Sequence, residues 1–327
     1  MNASVPASVP IGRLFSMPYA LLLPLLPLAG LLVFGFLPMP SYRIPEQFPF
    51  WAFFFGLPHI VSSFQTMCDA EYLAAYRRQA VTMLCVAFLP LALFTAGVPA
   101  SLLLVLVLVL TQHHVVAQQY GMALAVARMR PTAAFAACKW STLMLGIMAA
   151  FLTYAATEFE GTAPFAVLAP LARNASMPLL AVVLASGSLL VWRARHNSAG
   201  ALIFAMNVLL FTTALVLVFY SPYALAGLML VRILHDVSGF VVYIGHDAAR
   251  NKAQRWNVLY RAIPFLPVWL LNLAFALGLA AALTFCANHI AWIGWLVTGI
   301  TLAHYYMESF IWRGPTPHRK HFKFTAA

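Results

Sequence analysis

The stretch PASLLLVLVLVLTQHHVVAQQYG, residues 99–121, decides the fold class of this chain. Its apolar run does not alternate with polar residues, which excludes a strand of a transmembrane β-barrel. Its 23 residues are enough to cross a membrane, because a helix of ~20 residues spans a hydrocarbon core of ~30 Å. The stretch is therefore predicted to be a transmembrane helix that carries two histidines, His113 and His114, into the membrane.

The composition of the whole chain is also that of a membrane protein. Of its 327 residues, 63% are hydrophobic and 8% are charged, whereas about 25% are charged in a typical soluble domain. So few ionisable side chains cannot cover a soluble globule, which excludes a soluble enzyme and a soluble nucleic-acid-binding protein. The four cysteines are widely spaced in apolar runs, so a disulfide-stapled fold is excluded as well.

Ten apolar segments are long enough to span a membrane. The chain is therefore predicted to be an all-α, polytopic integral membrane helical bundle. It is expected to form a single transmembrane domain over residues 1–327, with a short N-terminal segment 1–14 and a C-terminal tail 313–327. The predicted spans are 15–37, 50–68, 79–97, 99–121, 133–155, 177–194, 199–220, 224–246, 263–287 and 290–312.

The positive charges predict the orientation of these spans, because Lys and Arg gather in cytoplasmic loops. With the loops numbered alternately, one side receives sixteen of the 19 Lys and Arg, the other receives Arg43 and Arg173, and Arg232 lies within a span. Both termini are therefore predicted to be cytoplasmic. The net charge of +11 is interpreted as topology, not as a nucleic-acid-binding patch. The expected location is the bacterial cytoplasmic membrane.

Histidines recur at one depth in four of the predicted spans. At ~1.5 Å per residue they lie within a layer roughly 5 Å thick in the cytoplasmic half of the membrane. Ionisable groups at such depth are costly and usually functional. A shared metal or cofactor site is therefore favoured over a proton pathway and over unrelated structural histidines. The residues are His59, His113 or His114, His235 and His304.

One carboxylate accompanies these histidines along the chain. Glu308 follows His304 by four residues and shares its helix face, so it is predicted to orient His304 or to act as a ligand itself. An all-imidazole site suits Zn, Cu, Fe or Ni. Open positions in the cytoplasmic half favour Fe(II) for oxygen chemistry, and a haem held by two histidines is the alternative.

Other polar residues near the spans are predicted to be structural. Asp236 is expected to pair with Arg232, four residues earlier, instead of serving the histidines. His246 lies beside Asp247 at the membrane edge, where a surface pair is expected. A solvated basic surface is predicted for His196, His318 and His321.

Four short motifs follow one another in a familiar order. They are Gly56-Leu57-Pro58-His59, His113-His114 through Gly121, the span with His235, and His304 followed by Phe310-Ile311-Trp312-Arg313-Gly314-Pro315. This order resembles the Brp/Blh family of integral-membrane carotene dioxygenases. The resemblance implies one ferrous iron held by four histidines and central cleavage of β-carotene to retinal. By motif match the implied ligands are His59, His113 or His114, and His235.

The chain departs from the family pattern at two of these motifs. Ile60-Val61-Ser62-Ser63 follows His59, where the family has an Asp-containing stretch. Gly239 stands four residues after His235, where the family has a further histidine. His304 is the candidate to replace this missing ligand. The resemblance is therefore applied to the architecture of the site and not to β-carotene as the substrate.

The sequence as a whole predicts a membrane-embedded non-haem iron oxygenase with a multi-histidine site and Glu308 in a catalytic role. An apolar lipid or a carotenoid is the expected substrate, because such a site is reached more easily from lipid than from water. Membrane lipids are expected partners, nucleic acid is not, and the oligomeric state is left open. The alternatives are a transporter or proton-linked carrier, and a haem-binding membrane assembly protein.

Overall fold

The computed structural model describes residues 9–10, 56–159, 163–221 and 223–323. Its regular structure is helical apart from a parallel pairing of two short strands, β1 (Val9–Pro10) and β2 (Phe322–Lys323). The helices are α1 (Leu57–Thr66), α2 (Ala70–Ala75), α3 (Arg77–Thr95), α4 (Ala100–Ala127), α5 (Ala133–Phe159), α6 (Ala163–Arg193), α7 (Ser198–Tyr220), α8 (Ala224–Arg250), α9 (Val258–Ala262), α10 (Val268–His289), α11 (Ala291–Ile311) and α12 (Pro317–Lys320).

Seven of the described helices, α3 to α8 and α10, are long and apolar enough to cross a membrane. The prediction of an all-α membrane protein is therefore confirmed at this level. The predicted span 290–312 forms α11, the span 50–68 is helical over Leu57–Thr66, and the span 15–37 lies outside the described residues. The count of ten and the orientation stay predictions.

One predicted span begins at the wrong residue. We expected a helix over 177–194, but α6 starts at Ala163 and contains both Pro170 and Pro178. Proline ends most helices in water because it removes a backbone donor. In membrane helices proline is tolerated because local adjustments and neighbouring groups satisfy the freed carbonyl.

The described helices fall into two compact units, whose boundaries lie within α4 and α8. Among the described residues, the first comprises 9–10, 56–107 and 236–323, and the second comprises 108–159, 163–221 and 223–235. In the first unit α11 packs against α3 and α10, and α1 packs against α10 and α11.

Small residues allow the backbones of α3 and α11 to come close together. A Cβ atom placed on Gly299 of α11 would lie 1.8 Å from the carbonyl oxygen of Ala87 on α3. Only glycine fits at that point, and small residues at membrane helix interfaces let backbones come together in this way.

The second unit is built on α5, α6 and α7, which pack against one another. Its core is a cluster of buried apolar residues to which α4 also contributes, including Tyr120, Leu145, Val183 and Phe204. Asn207 of α7 donates from Nδ2 to the carbonyl of Gln119 on α4, at 3.0 Å. This bond fixes α7 against the polar half of α4.

Candidate metal centre

Two histidines of the first unit point their Nε2 atoms at each other. His59 on α1 and His304 on α11 are both buried, and their Nε2 atoms are 3.3 Å apart. Two nitrogen ligands of one tetrahedral ion are separated by about 3.3–3.4 Å when each metal–nitrogen bond is ~2.0–2.1 Å. The two imidazoles are therefore spaced as ligands of a single ion.

Local sequence explains how each histidine is presented. Pro58 occupies the first turn of α1, where its fixed φ favours the helix and its missing N–H costs nothing, and His59 follows it directly. His304 lies within α11, with Glu308 one turn later on the same face. A helix start and a helix interior thus supply one ligand each.

Polar groups on the other side of each ring bear on where its hydrogen lies. Nδ1 of His59 lies 2.9 Å from Oδ1 of Asp236, and a carboxylate beside this nitrogen favours the tautomer with its hydrogen on Nδ1. Ser63 Oγ donates to the carbonyl of Ile60 at 2.6 Å and therefore accepts from Nδ1 of His304 at 2.8 Å. With both hydrogens on Nδ1, the two Nε2 atoms present lone pairs to one point. Two facing lone pairs repel each other, and a cation between them removes that repulsion.

A carboxylate completes the donor set within the same unit. Oε1 of Glu308 lies 3.8 Å from Nε2 of His304 and accepts a short hydrogen bond from the hydroxyl of Tyr243. His304 offers a ligand atom within 4.8 Å of one from His59 and, separately, within 4.8 Å of one from Glu308. Two histidines and one carboxylate are the donor types of the facial triad of non-haem Fe(II) oxygenases.

The second unit brings together two further predicted ligands. His114 on α4 and His235 on α8 are buried, and their ring centroids are 4.8 Å apart at an interplanar angle of 80°. His113 is exposed on α4, with its ring 6.5 Å from that of Trp140. Of the two alternatives left open by the sequence, His114 is thus the one placed beside another predicted ligand.

Asp236 lies beside one of the predicted ligands, His59 of α1. The expected pair between Asp236 and Arg232 on its own helix stays a prediction. A metal-bound histidine usually donates its second N–H to such a carboxylate. No spacing along a single helix signals this contact, because His59 and Asp236 lie on different helices.

His318 and His321 were predicted to lie on a solvated basic surface, but both are buried. His318 is 0% exposed and stacks on the ring of Tyr72 at a centroid distance of 4.0 Å, and His321 is also buried. His246 pairs with Asp247 at 3.0 Å as expected, but it is 0% exposed. Rings packed against these imidazoles exclude water from positions that the sequence pattern placed at the surface.

A network of buried polar side chains fixes the helices that carry the centre. Oδ2 of Asp247 on α8 accepts from Nδ2 of Asn272 on α10 at 2.9 Å and from the hydroxyl of Tyr260. Oδ1 of Asn272 accepts from Ser62 of α1 at 2.6 Å. Because Ser62 is three residues after His59, these bonds set the rotation of α1 and hence the direction of the imidazole.

No protein-family model, no curated protein and no solved structure matches this chain. The function proposed below therefore rests on the geometry of the centre and on the resemblance of the four sequence motifs.

Proposed function

We propose that the chain is a membrane-embedded non-haem iron oxygenase that acts on an apolar lipid or a carotenoid. The supporting observation is the pair of Nε2 atoms 3.3 Å apart with the Glu308 carboxylate beside them. A triad of two histidines and a carboxylate leaves coordination positions open for oxygen and substrate. Fe(II) held there would supply the activation of O2.

The surroundings of the centre favour an apolar substrate. The ring of Phe240 lies 6.4 Å from that of His59, and the ring of Phe64 lies 6.5 Å from that of His304. A hydrocarbon loses no hydrogen bonds on entering such a site, whereas a polar substrate would be desolvated there. Addition of O2 across one C=C bond yields two carbonyl products and balances without an external acid or base. This reaction is the one that the Brp/Blh resemblance implies.

One observation also supports a second candidate, a proton-linked carrier. The two facing Nε2 lone pairs of His59 and His304 are able to share one proton instead of one metal ion. Haem is the weaker alternative at this pair. Axial ligands on opposite sides of one iron are about 4 Å apart at metal–nitrogen bonds of ~2.0 Å, which exceeds the separation of 3.3 Å.

Elemental analysis with an absorption spectrum tests the proposed function. We expect about one Fe per detergent-purified chain prepared without oxygen, no Soret band, and loss of most of that iron in His59→Ala, His304→Ala and Glu308→Gln. His113→Ala is the matched control, because this exposed histidine on α4 should leave the iron content unchanged. Consumption of O2 with carotenoid or lipid substrates should be lost in the same three variants.

Other results would redirect the assignment. Folded wild-type protein without metal would overturn the oxygenase and favour the carrier, and a Soret band would indicate haem. The resemblance further predicts that His114→Ala and His235→Ala lower the metal content, an expectation that comes from the sequence motifs alone.

A further inference from the structure

A polar cavity opens between the end of α8 and the start of α10. Its volume is 360 Å³, and its lining includes Asn251, Lys252, Gln254, Arg255 and Trp269. It involves none of the residues of the candidate metal centre.

Arg255 is held rigidly in the wall of this cavity. Its guanidinium donates to the carbonyls of Tyr260, Ile263 and Leu266 at distances of 2.7, 2.8 and 2.6 Å. Carbonyl dipoles fix the position of the group, but they do not neutralise its charge. Arg255 makes no ion pair among the described residues, so the connection between α8 and α10 is folded around a positive charge that backbone carbonyls hold in place.

The second cation of the cavity is Lys252, whose side chain is exposed. Lys252 makes no ion pair among the residues that the structure describes. The sequence contains no Asp or Glu between Asp247 and Glu308, and Asp247 is already bonded to His246, Asn272 and Tyr260. The cavity is thus lined by two cations and, among the residues that the structure describes, by no carboxylate.

An exposed aromatic ring lines the cavity. Trp269 is 52% exposed and stands at the start of α10. Tryptophan is enriched where a membrane meets water, with its ring at headgroup level. A ligand that combines a negative headgroup with a hydrocarbon tail matches both features, whereas free phosphate uses only the first.

We infer that this cavity binds the phosphate headgroup of an anionic phospholipid. The phosphate lies between Lys252 and Arg255, and the acyl chains follow the apolar face of α10 that begins at Trp269. Basic pockets beside membrane helices recognise anionic headgroups in this way.

Native mass spectrometry of the full chain, titrated with phosphatidylglycerol, tests this site. We expect phosphatidylglycerol to bind more tightly than zwitterionic phosphatidylcholine. Lys252→Gln should weaken the binding of phosphatidylglycerol about fivefold, the contribution of one lysine near a membrane surface. Arg130→Gln is the matched control, because it removes an exposed cation outside the cavity and should leave the affinity unchanged.

Three outcomes would overturn the inference. Equal affinity for the two lipids would show that the site does not recognise headgroup charge. Equal weakening by Lys252→Gln and Arg130→Gln would show a general effect of net charge. Displacement of phosphatidylglycerol by inorganic phosphate at equal concentration would identify a site for soluble phosphate. Both substitutions are at exposed positions, and unchanged thermal unfolding of the variants confirms that the fold is intact.

Discussion

At the scale of single residues, the ability of the centre to bind a cation depends on which ring nitrogens carry hydrogen. A neutral imidazole has one N–H, and the hydrogen bond made by one nitrogen determines whether the other is free to act as a ligand. Asp236 and Ser63 engage Nδ1 of His59 and of His304, respectively. Without these partners either ring could carry its hydrogen on Nε2 and would then offer no lone pair to a metal.

Asp236→Asn tests this positioning role. The amide lacks the negative charge that raises the basicity of His59, so we expect the affinity for Fe(II) to fall about 10–100-fold, the usual cost of losing such a partner. Glu71→Gln is the control, because Glu71 is partly exposed and bonds Arg250 at 2.6 Å, away from the two imidazoles. Metal titration against a competing chelator measures the affinity of each variant. Equal affinities would assign Asp236 a structural role only.

The grouping of the candidate ligands was easier to predict from the sequence than the side chains that surround them. The depth of His59 and His304 and the i, i+4 spacing of Glu308 are properties of single helices, so they can be counted along the chain. The contact between Asp236 and His59 joins α8 to α1 and depends on how these helices pack. The same holds for His113 and His114, because only the rotation of α4 in its unit decides which of them is buried.

At the scale of helices, the close approach of α11 to α3 sustains the position of His304. Gly299→Ala would place a Cβ atom 1.8 Å from the backbone oxygen of Ala87. Because a backbone atom cannot move aside as a side chain can, we expect a loss of about 1–3 kcal/mol in the free energy of unfolding. Thermal unfolding in detergent measures the change.

Gly294→Ala on the same helix is the matched control for that substitution. A Cβ atom at Gly294 meets nothing within 4 Å, and alanine favours a helix over glycine by about 1 kcal/mol. Gly294→Ala should therefore leave the unfolding temperature unchanged or raise it. Similar behaviour of the two variants would show that α3 and α11 are not in close contact.

The short helix α12 is held by neutral imidazoles. Thr66 donates to the carbonyl of Ser63, so its oxygen accepts from Nε2 of His318 at 3.2 Å, while Tyr76 donates to Nδ1 at 3.2 Å. Burial lowers the pKa of His318 well below its usual value, and His246, His321 and Arg250 lower it further. The neutral ring satisfies both partners, with Nε2 as the donor and Nδ1 as the acceptor.

Acidification should therefore loosen α12. Burial, with His246 and Arg250, lowers the pKa of His321 to about 4, whereas an unfolded histidine titrates near pH ~6.5. Between these values the detached segment binds more protons than the docked one. The stabilisation is thus complete above pH ~6.5 and is lost as the pH falls toward 4. We expect limited proteolysis after α11 to be faster at pH 5 than at pH 7.5.

Two variants separate this effect from a general response to acid. His321→Gln should reduce the difference between the two pH values, because one of the titrating groups is gone. His196→Gln changes an exposed histidine of the other unit and should leave the difference as in the wild type. An unchanged difference in His321→Gln would exclude His321 as a source of the pH dependence.

At the scale of the whole molecule, few charges are available to orient the chain, and their distribution is uneven. Sixteen of the 19 Lys and Arg fall in alternate loops of the ten-span arrangement. Dropping or adding one span in the middle would destroy this bias. The predicted orientation and the predicted number of spans therefore depend on each other. The seven described helices that could span a membrane agree with the class of protein but do not fix the count.

Reporter fusions test the orientation together with the count. Green fluorescent protein joined after Ala327 or inserted after His196 should fluoresce, because both positions are predicted to be cytoplasmic. Alkaline phosphatase joined after Ser221, between the spans 199–220 and 224–246, should be active only outside the cytoplasm. The opposite pattern at all three positions would reverse the chain, whereas a change at Ala327 alone would mean an even number of spans after Ser221 instead of the expected three. The expected pattern would place His59 and His304 about 12–13 Å from the cytoplasmic ends of their spans, on the side where ferrous iron is available to a newly made chain.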